Sequence, residues 1–288
     1  MRYFIKLAYN GLAYGGWQSQ PNTITVQQCL EKGLASIAGI KGSITGCGRT
    51  DAGVHASTFY AHFDHDEALA TSESEQLTYR LNRYLPKDIV VFEILPVVPG
   101  AHARYSAIFR EYKYQIIRQK DPFNFHCAYF MHLNLDVEAM NTCAALLIGR
   151  HDFQSFSKVN TQVNNFFCDI QKAEWTEKDH FPYFTIRADR FLRNMVRAIV
   201  GTLIDVGKGK ISTKEFLKII DSRNRSEAGY SVPAQGLTLT DIGYPENIFT
   251  DTPVYFPAES CGKTISHYYT DHEFHPPSGN KSGSDTKS

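Results

Sequence analysis

The chain has 288 residues, 42% of them hydrophobic and 13% aromatic, which is enough apolar side chain for one large or two medium packed domains and excludes global disorder. Lys and Arg together number 30, as do Asp and Glu, so the net charge is zero and announces no nucleic-acid partner. Residues 251–288 hold five acids and three lysines, which leaves 27 basic and 25 acidic residues before them; an RNA site on this chain has to be a local patch. Six cysteines (Cys29, Cys47, Cys127, Cys143, Cys168 and Cys261) form no CxxC pair, and no apolar run is long enough to span a bilayer. The start, Met-Arg-Tyr-Phe-Ile-Lys, does not read as a signal peptide, so the expectation is a reduced, soluble, cytoplasmic protein.

Residues 3–9 alternate and predict a strand, followed by a turn rich in glycine (Gly11, Gly15, Gly16). Thr25-Val26-Gln27-Gln28 has the form of a capping box and opens a helix to about residue 38. A strand over 58–63, a helix over 75–85 ending before Pro86, and a strand over 89–95 complete the first hundred residues. Residues 110–116 then alternate as a half-exposed strand. Asp136 caps a helix through 147, with Gly149 just past its end. A short strand at 184–187 precedes a helix over 191–206, on which Leu192, Val196, Ile199, Leu203 and Val206 recur at helical spacing. Ser212-Thr213-Lys214-Glu215 is a second capping box, for a helix to about 222, and 236–242 reads as a closing strand. Strands and helices interleave throughout, which predicts an α/β fold; beyond Pro245 the composition becomes that of a flexible tail.

Gly46, Gly48 and Gly53 bracket Arg49-Thr50-Asp51 between two of these strands. Three glycines in eight residues allow tight turns and close approach by another molecule. By spacing alone the loop has three readings. It is a surface turn with an Arg–Asp pair of little energetic weight, a phosphate cradle lacking GxxxxGK[ST] and GxGxxG, or the mount of a nucleophilic aspartate. The third needs a cation nearby to keep the carboxylate ionised. Arg190, Arg193 and Arg197 fall at helical spacing along 191–206 and predict one basic stripe, either a solvated face or a phosphate contact. Tyr112 on its strand reads as a packing residue with a satisfied hydroxyl. His55 and His62 read as structural or RNA-contacting, and no metal-ligand cluster is visible.

Several blocks together bear on these alternatives. Gly48-Arg49-Thr50-Asp51-Ala52-Gly53-Val54-His55-Ala56 resembles the signature loop of the TruA family of pseudouridine synthases. In the family's order, the chain also has Tyr14-Gly15-Gly16-Trp17-Gln18-Ser19-Gln20, then His102-Ala103-Arg104-Tyr105-Ser106-Ala107 with Arg110-Glu111-Tyr112-Lys113-Tyr114. His151-Asp152-Phe153-Gln154-Ser155-Phe156, Phe191-Leu192-Arg193-Asn194-Met195-Val196-Arg197 and Gly236-Leu237-Thr238-Leu239 follow, so the resemblance spans residues 3–244. Departures are the missing aromatic before His102 and a stretch, 159–167, without Arg or Lys.

The resemblance implies a pseudouridine synthase fold: two ferredoxin-like halves, 1–102 and 103–245, whose mainly antiparallel sheets join around a central cleft, with 246–288 as a tail. It implies isomerisation of uridine to pseudouridine at positions 38–40 of the tRNA anticodon arm, by a cytoplasmic homodimer with no cofactor and no metal. It makes Asp51 the nucleophile, Arg197 its ionic partner, and Tyr112 the ring that stacks on the target base and serves proton transfer. Arg49 would assist base flipping or hold phosphate, Arg190 and Arg193 would meet RNA, and Leu237 would line the uracil pocket. The rival classes are an RNA-binding protein that kept only the scaffold and a phosphate-ester hydrolase using Asp51, which would need a metal site.

Overall fold

The computed structural model describes residues 1–159, 165–178 and 181–250. Among them, ten strands share one sheet: β1 (Arg2–Tyr9), β2 (Thr45–Gly46), β3 (His55–Asp64), β4 (Ile89–Pro96), β5 (Phe109–Ile117), β6 (Tyr129–Phe130), β7 (Gly149–Asp152), β8 (Phe167–Lys178), β9 (Phe181–Ala188) and β10 (Leu237–Gly243). Five α-helices lie between them: α1 (Val26–Ala38), α2 (Thr71–Tyr84), α3 (Val137–Ala145), α4 (Met195–Gly207) and α5 (Thr213–Ser222).

The capping signals act as the sequence implies. Thr25 and Ser212 accept the N–H groups of Gln28 and Glu215, and both glutamine and glutamate side chains reach back, closing two capping boxes. Asp136 accepts the Ala139 N–H at the start of α3.

The sheet runs β4-β1-β3-β10-β5-β9-β8-β7, with β2 on β3 and β6 on β5. The sequence β1-α1-β2-β3-α2-β4 laid out as β4-β1-β3-β2 is a ferredoxin-like unit, and β5-α3-β8-β9-α4-β10 laid out as β10-β5-β9-β8 is a second. One edge of β3 pairs antiparallel with β1 along its length. The other edge is divided: β2 pairs at Ala61 and His62, while β10 runs parallel at His55 and Ala56. The parallel step joins the two units. Two hydrophobic clusters flank the seam, one built on Phe4, Trp17, Leu30 and Phe59, the other on Phe153, Phe184, Ile199 and Phe216. Leu237 belongs to the second and Leu239 to the first, while Tyr112 packs against both.

Several elements differ from the pattern read in the sequence. Helix α4 starts at Met195, because Asn194 takes a left-handed φ of +67° and Met195 N–H turns back to the Leu192 carbonyl at 3.1 Å. Residues 191–194 are therefore not helical, and Arg190, Arg193 and Arg197 do not form a single helical stripe. Helix α2 begins at Thr71, one turn earlier than the apolar period suggests, with the Glu73 carboxylate accepting Ala70 N–H at 2.7 Å. The twelve-residue β8 escapes the alternation rule because a register shift between Ile170 and Lys172 breaks its period. Packing also continues past Pro245: Ile248 is buried, and Phe249 meets the rings of Phe4 and Tyr60. The tail from 251 onward and most of the 159–167 stretch lie outside the described residues.

Candidate active site

Residues 47–54 connect β2 to β3 where β10 joins, so this loop sits on the seam between the two units. Its backbone is tied on three sides. Cys47 N–H donates to the Tyr60 carbonyl at 2.7 Å, and burial pushes the Cys47 thiol up to about 12. Thr50 shares a hydrogen bond of 2.8 Å with the buried Tyr9 hydroxyl, and its carbonyl accepts the Trp17 N–H at 3.3 Å. Gly16 makes that approach with a φ of +97°; a Cβ there would lie 2.4 Å from the Thr50 carbonyl oxygen, so only glycine fits. Val54 N–H donates to the Asp51 carbonyl at 3.1 Å and closes the turn.

His55 supplies the third tie. Its Nδ1 accepts the Gly11 N–H at 3.1 Å, and its Nε2 lies 3.0 Å from the Gln235 carbonyl, which can only accept. The ring is therefore neutral with its proton on Nε2, and burial lowers its pKa in the same sense. His62 has a comparable structural role, accepting Ala103 N–H at 3.1 Å with its pKa lowered by burial to about 4.

The Asp51 side chain remains one quarter exposed. Arg193 Nε stands 3.5 Å from one carboxylate oxygen and Arg197 Nη1 3.8 Å from the other. Both separations exceed a normal N–H···O hydrogen bond, and among the described residues none is formed to this carboxylate. Within the protein the group is held by charge rather than by hydrogen bonds. Two opposite charges near 4 Å gain about 4 kcal/mol at an effective dielectric of 20 before desolvation is subtracted. Arg197 carries most of this, since its side chain is 21% exposed against 61% for Arg193, a degree of exposure at which an ion pair contributes little.

Arg197 is aimed by its surroundings. Its Nε donates to the Val232 carbonyl at 2.7 Å, and Val232 N–H returns to the Arg197 carbonyl at 3.3 Å. Asn194 and Arg225 both donate to Ser231 Oγ, at 2.6 and 2.9 Å, and fix segment 228–232 against α4. At Gly201 a Cβ would fall 1.8 Å from the Tyr230 carbonyl oxygen, so this contact requires a glycine on the helix face.

Tyr112, half-buried on β5, meets Phe191 edge-on at 5.2 Å and 85°. Burial raises its phenol pKa, and the Asp51 charge adds to the shift, so the hydroxyl stays protonated at neutral pH.

The arginine two residues before Tyr112 is the group the charge pattern did not single out. Arg110 Nη2 donates to the carbonyls of Cys47 (3.0 Å) and Arg104, and Nη1 to those of Asp189 (2.9 Å) and Ala107 (3.3 Å). One guanidinium thus clamps the strand leading into the Asp51 loop, the 104–107 turn and the end of β9. The period of two puts Arg110 and Tyr112 on one strand face, and that was the available signal.

The remaining residues implied by the resemblance are more dispersed. Arg49 is exposed on the loop. Arg190 makes no ion pair to Asp51, and its backbone N–H is held by the Asp189 carboxylate at 2.7 Å. Leu237 opens β10 at 5% exposure, paired with Tyr114 and packed into the second core. Among the described residues no group of three or more His, Cys, Asp or Glu side chains is arranged as a metal site, and no helix is long and apolar enough to cross a membrane.

Comparison with known proteins adds to this geometry. A family model described as tRNA pseudouridine synthase matches residues 143–245. The chain is 51% identical over 248 residues to tRNA pseudouridine synthase A of Parabacteroides distasonis, covering 86% of this chain and 98% of that one. It is 50% identical over 250 residues to the protein of that name from Bacteroides fragilis, covering 86% and 98%, and 49% identical over 253 residues to that of Bacteroides thetaiotaomicron, covering 87% and 93%. The class so defined is that of the pseudouridine synthases, and within it the chain belongs to the tRNA pseudouridine synthase A family.

Proposed function

We infer that this chain isomerises uridine to pseudouridine in tRNA, and we propose that it does so at positions 38–40 of the anticodon arm with Asp51 as nucleophile and without a cofactor. The observation that carries the mechanism is a partly exposed carboxylate standing between Arg193 and Arg197 on the seam of two ferredoxin-like units. Its exposed edge is accessible for attack on the flipped nucleotide, at the uracil or at ribose C1′. The N1–C1′ bond breaks, the uracil turns, and C5 bonds to C1′. C5 loses its proton and N1 gains one, so the composition of the nucleotide is unchanged.

In this reading Arg197 pairs with Asp51 and holds its carboxylate in place as the pocket closes around the base. Tyr112 presents a neutral ring and hydroxyl to the uracil. One such stack contributes about 1–3 kcal/mol and offsets part of the cost of unstacking the nucleotide. Arg49, Arg190 and Arg193 contact the RNA around it, and Leu237 backs the uracil pocket from the core side. By the same resemblance the protein acts in the cytoplasm as a homodimer, one tRNA reaching across both copies.

The test is release of tritium from C5-labelled uridine in tRNA transcripts, without added metal or nucleotide. Wild-type protein releases tritium; Asp51→Ala abolishes release and binds tRNA nearly as well. Undiminished turnover by that variant would sink the mechanism.

A further inference from the structure

We propose that the turn at residues 102–106, together with Arg49, forms a nucleotide subsite beside the Asp51 loop. Tyr105 stacks on the base of a nucleotide flanking the target, and Arg49 and Arg104 take its phosphate. The inference rests on the reading of the chain as an enzyme acting on RNA.

Tyr105 is 76% exposed, whereas Tyr3, Tyr9, Tyr14 and Tyr114 are buried. Its backbone is nonetheless rigid. His102 Nδ1 accepts the N–H groups of Arg104 (3.1 Å) and Tyr105 (3.3 Å), Ser106 N–H donates to the His102 carbonyl (2.9 Å), and His102 N–H donates to Ser106 Oγ (3.0 Å). The His102 ring rests edge-on against His62 at 4.7 Å, and His62 in turn accepts Ala103 N–H. The His102 ring also stands 4.4 Å from the Tyr105 ring, and the Arg104 guanidinium lies 5.6 Å from its centroid. An aromatic side chain on a backbone tied in this way, with His102 and Arg104 beside its ring, loses less entropy when a flat partner lands on it.

The turn is also positioned against the catalytic loop. Arg110 bonds the carbonyls of both Arg104 and Cys47, so Tyr105 and Asp51 are parts of one clamped assembly. Beside this assembly lies a cavity of about 150 Å³ lined by Arg49, Arg104, Gly48, Gln18 and Ser43 among others. Among the described residues no Asp or Glu lines it, and a neighbouring carboxylate, Glu31, is engaged by the wall residues Gln27 (2.8 Å) and Ile44 (3.0 Å). A Cβ built on Gly48 meets nothing within 4 Å, so the backbone there is open to a ligand. Two guanidiniums in one wall favour an anion, and Arg104 reaches from that wall to the exposed Tyr105 ring, a pairing of cation and aromatic that suits a single-stranded nucleotide.

The test combines steady-state tritium release with binding of an anticodon stem-loop RNA. Tyr105→Ala should lower kcat/KM about tenfold or more, mostly through KM, as expected for one lost base stack. Tyr105→Phe and Tyr105→Trp should restore it, and the indole of Tyr105→Trp should be quenched on RNA binding. The urea midpoint of Tyr105→Ala should match wild type, because the ring is exposed. Arg104→Ala should reduce the slope of log K against log salt by about one. RNA affinity and KM unchanged in Tyr105→Ala would overturn the subsite. If wild-type protein releases no tritium while stem-loop binding still depends on Tyr105, the catalytic reading fails and the subsite stands.

Discussion

Asp51 lies between two arginines, but the residue that sets the distances among the walls of its site is a third one that touches no carboxylate. Arg110 donates to four backbone carbonyls from three segments, and its charge offsets their converging dipoles. A lysine keeps the charge but lacks the planar fork, so it can satisfy only some of these acceptors at once. Arg110→Lys is expected to lower kcat about 100-fold, because displacements near 1 Å cost that much in an oriented site, with KM for tRNA changed little. Single-turnover tritium release would separate the two, and a normal kcat would mean that the segments hold their places without the clamp. The Asp51 loop itself was visible in the sequence as a cluster of glycines, but its chemistry was not. The same spacing suits a surface turn, and the two arginines that meet Asp51 come from 142 and 146 residues further along.

At the scale of elements, legibility followed locality. Thr25, Asp136 and Ser212 cap their helices as written, since a cap is a bond between neighbours. Apolar periodicity starts α4 too early because Leu192 is apolar, buried and in helical phase, yet Asn194 turns the chain left-handed just before Met195. That turn has a consequence for the site: it places Arg193 on the approach to Asp51 and leaves Arg197 in the first turn of the helix. The segment that aims Arg197 depends in turn on Gly201. Gly201→Ala is expected to destabilise the protein by about 1–3 kcal/mol through overpacking and to lower turnover, by forcing the Tyr230 carbonyl, and with it Val232, away from α4. Urea unfolding and tritium release on the same preparation check both effects; wild-type stability would show that the strand of chain at 228–232 yields freely.

For the whole molecule, β10 is the element that makes one protein of two repeats. Leu237 enters one core and Leu239 the other, and β10 supplies the parallel pairing to β3. Each core holds one tryptophan, Trp17 in the first and Trp175 in the second. If β10 couples them as the packing implies, Trp17→Phe and Trp175→Phe proteins, each reporting on the remaining indole, should unfold in urea with the same midpoint once corrected for the substitution. Two separated transitions would show that the units melt independently.

The sequence by itself determined the interleaved α/β pattern, the capped helices, the glycine loop and, through its motifs, the family resemblance. These depend on bonds between near neighbours or on residue order. Tertiary structure decided which arginines reach Asp51, that Arg110 is a clamp rather than a solvated strand charge, and that Leu192 precedes a helix rather than opening it. The ion pairs to Asp51 and the Arg110 bonds to Cys47 and Asp189 join segments 63 or more residues apart, and their energy exists only once the sheet has brought those segments together; the start of α4 is instead set locally, by the left-handed turn at Asn194.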